Sequence, residues 1–151
     1  MTATPLLSFD LERTYLAPRE RVWAAFTRAD LLQQWACPDP EWRVSTCEVD
    51  AREGGGYRIL FGPRPDGDAY SETATFTVFE PVERLVLDVL TAGDGASEPS
   101  TCTVLLLPVG GGTRLALTVE GVSDASTAEN LRVGWTWCLE GIAELLGLKE
   151  S

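Results

Sequence analysis

The sequence predicts an α+β fold, an antiparallel sheet with its helices gathered on one face. Three observations predict it. From Val44 to Glu120 the chain alternates with a period of two between short breaks rich in Gly and Pro. A single long apolar stripe with helical spacing follows those segments. Two short helical stretches come after the first strand and before all the others.

The elements follow in order. Leu7 to Leu16 alternates loosely, with Leu7, Phe9 and Leu11 opposite Ser8, Asp10 and Glu12, and reads as a strand. Pro18 suits the first turn of a helix in which Val22, Trp23 and Phe26 share one face, with Arg19, Glu20 and Arg21 toward water. Thr27, with Asp30 three residues on, predicts the cap of a second short helix that ends near Trp35, ahead of Pro38 and Pro40. Val44 to Asp50 is a strand, and Gly54 to Gly56 a turn. Tyr57, Ile59 and Phe61 then share one strand face. Pro63, Pro65 and Asp66-Gly67 break the chain before a long strand over 69–80. Pro81 and Val82 turn it, and Arg84 to Leu90 returns. Residues 92–100, small and acidic, predict a loop. Thr101 to Val109 and Thr113 to Glu120 flank the turn Gly110–Gly112. Strands joined by such short turns imply an antiparallel meander.

The last segment is helical. Ser126 and Glu129 predict a capping box. Leu131, Trp135, Leu139, Ile142 and Leu146 form one stripe, widened by Cys138 and Leu145. About 22 residues at ~1.5 Å each make a helix of roughly 33 Å. Only the sheet offers enough apolar surface to cover it.

Composition narrows the function. A chain of 151 residues is the size of one domain, expected to span residues 1–151 with its core over about 7–147, and it needs no disulfide or metal to fold. The net charge is −11, and Lys149 is the only lysine, which sets nucleic acid and anionic lipid surfaces aside as partners. No apolar run approaches the ~18 residues of a membrane span. No basic segment precedes the first apolar residues, so the expectation is a cytoplasmic protein without a secretory signal. Cys37, Cys47, Cys102 and Cys138 form no CxxC pair and read as buried reduced thiols. The chain has no histidine. That removes His-based triads, a His general base and the usual zinc sets, and no metal or cofactor is expected. The glycine triplets at 54–56 and 110–112 lack the Lys-Ser/Thr of a phosphate loop and read as turns.

Five segments in this order resemble a known family. They are "ERTYLAPRERVWAAFTRADLLQQW", "EVDAREGGGYRI", "FEPVERLVL", "GGGTRLALTVEG" and "GWTWCLEGIAELL". Together they resemble the START-like, or SRPBCC, superfamily, and within it the homologues of the heat-shock-protein ATPase activator domain. The resemblance covers roughly residues 7–147. It implies a helix-grip fold, a seven-stranded antiparallel sheet curved around the closing helix, with a cavity between them that opens near the two short helices. Members bind lipids, steroids, polyketides or hormones, and some are cyclases, lyases or hydrolases. This chain departs from the pattern. Glu120 stands where a His is common, the start of the closing helix has no His, Ala74 replaces a common Gly, and Val89 replaces a common Trp.

On that fold the ligand-binding residues are expected to be Trp35, Tyr57, Ile59, Tyr70, Glu72, Ala74, Phe76, Leu87, Val89, Leu131, Trp135 and Cys138. Glu72 is also the candidate catalytic group. If Tyr70, Glu72, Ala74 and Phe76 face inward, its carboxyl is desolvated and its pKa rises. The alternation equally allows the face of Ser71, Thr73, Thr75 and Thr77, so the choice stays open here. Arg58 and Arg132 either meet an anionic ligand group or sit on a solvated surface. The function expected is binding of a small apolar molecule, a lipid or an aromatic metabolite. The alternatives are a cyclase or hydrolase using Glu72 with Tyr57 or Tyr70, and a stress-related co-chaperone module. A homodimer and a chaperone partner are left open.

Overall fold

Every alternating segment of the sequence joins one sheet. The computed structural model describes residues 6–36, 41–93 and 95–146. Cys37, Pro38, Pro40 and Lys149 lie outside them. The strands are β1 (Leu7–Tyr15), β2 (Trp42–Asp50), β3 (Gly56–Pro63), β4 (Tyr70–Glu80), β5 (Arg84–Gly93), β6 (Ala96–Val109) and β7 (Gly112–Val122). Helices α1 (Arg19–Thr27) and α2 (Ala29–Trp35) separate β1 from β2, and α3 (Ala125–Leu145) follows β7. The sheet order is β1-β7-β6-β5-β4-β3-β2, a meander from β2 to β7 with β1 added beside β7. All six pairings are antiparallel. No helix among the described residues is long and apolar enough to cross a membrane.

Three local expectations are corrected. Residues 92–100 are not a loop: β5 runs to Gly93 and β6 starts at Ala96, with those two residues paired across the hairpin. Strand pairing there rests on backbone bonds that small and acidic residues supply as well as any others, so composition did not reveal it. Thr27 does not cap α2. Its hydroxyl donates to the Trp23 carbonyl inside α1 (2.9 Å). Arg28 is the N-cap instead, and its guanidinium holds Asp30 at 2.8 Å. At α3 the cap is Asp124, which accepts from the Thr127 amide (2.8 Å) and the Thr127 hydroxyl (3.1 Å). A carboxylate suits the positive end of a helix better than the Ser126–Glu129 box does.

The register decides which face is inner. Tyr57 pairs with Ala74, Ile59 with Glu72, and Phe61 with Tyr70. Glu72 pairs in turn with Thr91, Ala74 with Val89, and Phe76 with Leu87. Tyr57, Ile59, Phe61, Ala74, Phe76, Leu87 and Val89 are all buried, while Thr73, Thr75 and Thr77 are exposed. A bulge between Phe76 and Val78 then shifts the parity, so Phe79 packs inward edge-on against Trp23 (5.1 Å). At the start of β3 the sheet tolerates only glycine. A Cβ on Gly56 would stand 1.8 Å from the Ala74 carbonyl oxygen.

Helix α3 is clamped at its C-terminal half. The buried Tyr15 hydroxyl donates to the Leu139 carbonyl (2.9 Å). Leu139, Ile142 and Leu146 are buried. Gly141 lets α3 approach α2, because a Cβ there would lie 3.1 Å from Trp35 Cβ. Helices α1 and α2 are tied by the Trp35 indole N–H, which donates to the Ala25 carbonyl (2.7 Å), and by the edge contact of Phe26 on Trp35 (4.9 Å). In the N-terminal half of α3, Leu131 and Trp135 are only partly buried.

Tyr15→Phe removes one buried hydrogen bond to α3 without changing shape. It is expected to lower unfolding stability by about 1 kcal/mol. Urea denaturation checks this, with a shifted midpoint at an unchanged slope.

Candidate functional site

Beneath the N-terminal and middle turns of α3 lies a pocket of about 180 Å³. Six elements build its wall. Trp42 comes from β2, Tyr57 and Phe61 from β3, Tyr70 and Glu72 from β4, and Thr91 from β5. Trp35 and Ala36 close it from the end of α2, and Asn130, Leu131, Gly134, Trp135 and Cys138 cover it from α3. Six of these side chains are aromatic. Trp42 stacks on Tyr70 (5.1 Å, 9° between planes), Tyr70 on Phe61 (5.8 Å), and Trp35 lies 6.3 Å from Trp135. Aromatic rings supply large rigid contact area, which suits a binding wall as well as a core. The Trp35 N–H is already engaged by Ala25, so that ring presents only apolar surface to the pocket.

The one carboxyl among the described lining residues is Glu72. The Tyr57 hydroxyl donates to its Oε2. Tyr57 stands opposite Ala74, two residues from Glu72 on the same face, and its ring reaches diagonally across β3 and β4. Thr91, directly opposite Glu72, is near enough to favour the ionised carboxylate, yet its buried Oγ1 has no partner with hydrogen-bond geometry. Burial pushes the Glu72 carboxyl above its ordinary pKa, partly opposed by Tyr57 and Thr91. Burial and the adjoining Glu72 push the Tyr57 phenol well above its own, so it serves as a donor and not as a base. Protonated Glu72 can donate to a bound molecule, and ionised Glu72 can accept or balance a charge.

Of the residues expected at the site, Trp35, Tyr57, Tyr70, Glu72, Leu131, Trp135 and Cys138 line the pocket. Ile59, Ala74, Phe76, Leu87 and Val89 do not, and belong to the buried core. Phe76 is wedged edge-on by Tyr57 (6.2 Å) and packed by Phe79 (5.6 Å), which leaves it no free face. Arg58 and Arg132 stay on the surface beside Glu48 and Glu129. Cys47, Cys102 and Cys138 are not disulfide-bonded. Burial pushes the Cys47 thiol up to about 11 and raises Cys102 as well, so both stay protonated and poorly nucleophilic.

Sequence reasoning missed Trp42, Phe61, Thr91, Ala36, Asn130 and Gly134. Trp42 and Thr91 fell just outside strands drawn one or two residues too short. Asn130, Gly134 and Cys138 share a spacing of four on α3, a signal that a search for apolar residues alone passes over.

The family model described as "Activator of Hsp90 ATPase homolog 1-like protein" matches residues 16–147. The chain belongs to this family. Its fold is the helix grip of the START-like, or SRPBCC, superfamily. Among solved structures, protein CV1439 from Chromobacterium violaceum is 29% identical, with 95% of this chain and 98% of that one covered at a TM-score of 0.80. The Mll3558 protein from Rhizobium loti is 29% identical, over 93% and 96%, at 0.79. A Rhodobacter sphaeroides protein is 28% identical, over 95% and 93%, at 0.77. No curated protein matches the sequence. These likenesses establish family and fold, and leave the chemistry of this family member to its own pocket.

Glu72 also makes a stability prediction. Its folded pKa is raised above its unfolded value, so between the two the folded state holds more protons and stability falls as pH rises. Glu72→Gln keeps an acceptor for Tyr57 and removes the buried charge. The variant is expected to melt at a higher temperature than wild type at neutral pH, with the gap closing as pH falls to about 4.5. Melting curves across that range check it. A variant less stable at neutral pH would contradict it.

Proposed function

We propose that this protein binds a small, largely apolar molecule in the pocket between the sheet and α3. The observation that carries the reading is the half-anchored helix. Trp135 and Leu131 are apolar yet only partly buried: they pack against the rim of the core and also line the pocket. A lipid fragment or an aromatic metabolite fits an aromatic wall of this kind. On this reading residues 1–151 act as a single domain in the cytoplasm, without cofactor or metal. Binding is favoured over catalysis because, among the described residues, the pocket places one carboxyl beside phenols and a thiol and offers no basic side chain.

A chaperone-directed role is the second reading. It draws on the family description and on Leu105, Leu107 and Val109, which lie exposed along the outer face of β6. A change in the ATPase rate of an Hsp90-type chaperone on addition of this protein would support it, and an unchanged rate would count against it.

The binding reading is tested with N-phenyl-1-naphthylamine, an apolar dye that brightens on burial. Wild-type protein is expected to bind it at micromolar concentration. Gly134→Leu fills the pocket from a helical position where the substitution favours the helix by up to about 1 kcal/mol. That variant is expected to stay folded and to bind the dye at least about tenfold more weakly. No dye binding by wild type, or unchanged binding by Gly134→Leu, would sink the proposal.

A further inference from the structure

Glu72 is out of place in a pocket built only to hold a neutral apolar molecule. Apart from this residue the wall is aromatic, aliphatic or small and polar, and it holds no Arg or Lys. Only neutral groups stand beside the carboxyl: the Tyr57 hydroxyl, and Thr91, whose Oγ1 is left without a hydrogen-bond partner. A carboxylate half-buried among rings is tolerated best when a positive charge stands beside it, and none of the described residues of the wall brings one. The rings of Trp35, Trp42 and Trp135 crowd around the same space, and aromatic groups attract cations. The net charge of −11 draws cations toward the surface and repels anions.

We infer that the ligand of this pocket carries an organic ammonium group, which sits against Glu72 while its apolar body lies among the aromatic rings. The inference rests on the pocket being a binding site, as proposed above. The ammonium N–H donors replace the missing counter-charge. They satisfy the free oxygen positions of Glu72, and Thr91 Oγ1 can accept from the same group. Glu72 thus acts as the residue that selects the charge of the ligand.

Tryptophan fluorescence reads the binding of three probes with related skeletons, 2-phenylethylammonium, 2-phenylethanol and phenylacetate. At about pH 8 the ammonium probe is expected to bind about tenfold more tightly than the alcohol, with phenylacetate weakest. In Glu72→Gln the ammonium probe falls to within about threefold of the alcohol. Lowering the pH until Glu72 takes up a proton weakens the ammonium probe and leaves the alcohol no weaker. Among the described residues the titratable and hydroxyl groups nearest Glu72 are Tyr57 from β3, Thr91 from β5, Cys102 from β6 and Cys138 from α3, none of them a second carboxyl or a basic group. Equal binding of ammonium and alcohol, or an unchanged preference in Glu72→Gln, overturns the inference and leaves the pocket reading standing. Binding of none of the three probes also overturns it, and the dye titration then shows whether the pocket reading falls as well.

Discussion

The structure depends on how α3 is held. Its C-terminal half is fixed by a buried hydrogen bond from Tyr15, by the close approach of Gly141 to Trp35, and by the buried side chains of Leu139, Ile142 and Leu146. Its N-terminal half is capped by Asp124, and its apolar residues Ala128, Leu131 and Trp135 are only partly buried against the core. A helix gripped along its whole length would close the molecule into a solid core. One gripped at a single end leaves a roofed space, and the sheet curves to meet it. The aromatic residues on β2, β3 and β4 then become walls, although their sequence pattern is that of ordinary core positions.

Within that space the unusual constraint is a carboxyl among rings. Burial of Glu72 opposes its ionisation, and Tyr57 and Thr91 offset only part of the penalty. A carboxyl whose ionisation is opposed by burial, set in a pocket lined by aromatic rings, has the marks of a functional group. The same carboxyl adds to the raised pKa of the buried Cys102 thiol two strands away on β6, after burial itself. Charge, and not shape alone, therefore distinguishes this pocket from a packing defect.

Much of the fold was legible in the sequence because its periodicities are strong. The i, i+4, i+8 stripe from Leu131 marked α3, and Tyr57, Ile59 and Phe61 marked the inner face of β3. The hairpin at 93–96 was not legible, since backbone pairing there leaves no side-chain signature. The site was legible in part. Trp35, Tyr57, Tyr70 and Trp135 could be placed by type and face. Which of the inward residues line space and which are packed solid depends on what α2 and α3 place above each of them, and no local pattern encodes that. Phe76 and Tyr70 share a strand face, yet one is wedged between two rings and the other borders the pocket. The inward turn of Glu72 was equally open on alternation alone, and only the register with Ile59 and Thr91 settled it.

Amide hydrogen exchange along α3 tests the central claim most directly, because it reads each half of the helix separately. Without ligand, the amides of residues 129–138 are expected to exchange faster than those of residues 139–145. With N-phenyl-1-naphthylamine added, protection should rise over 129–138 and stay unchanged over 139–145. Uniform exchange along the helix, or protection that rises equally in both halves, would contradict the account of a helix anchored at one end over a ligand site.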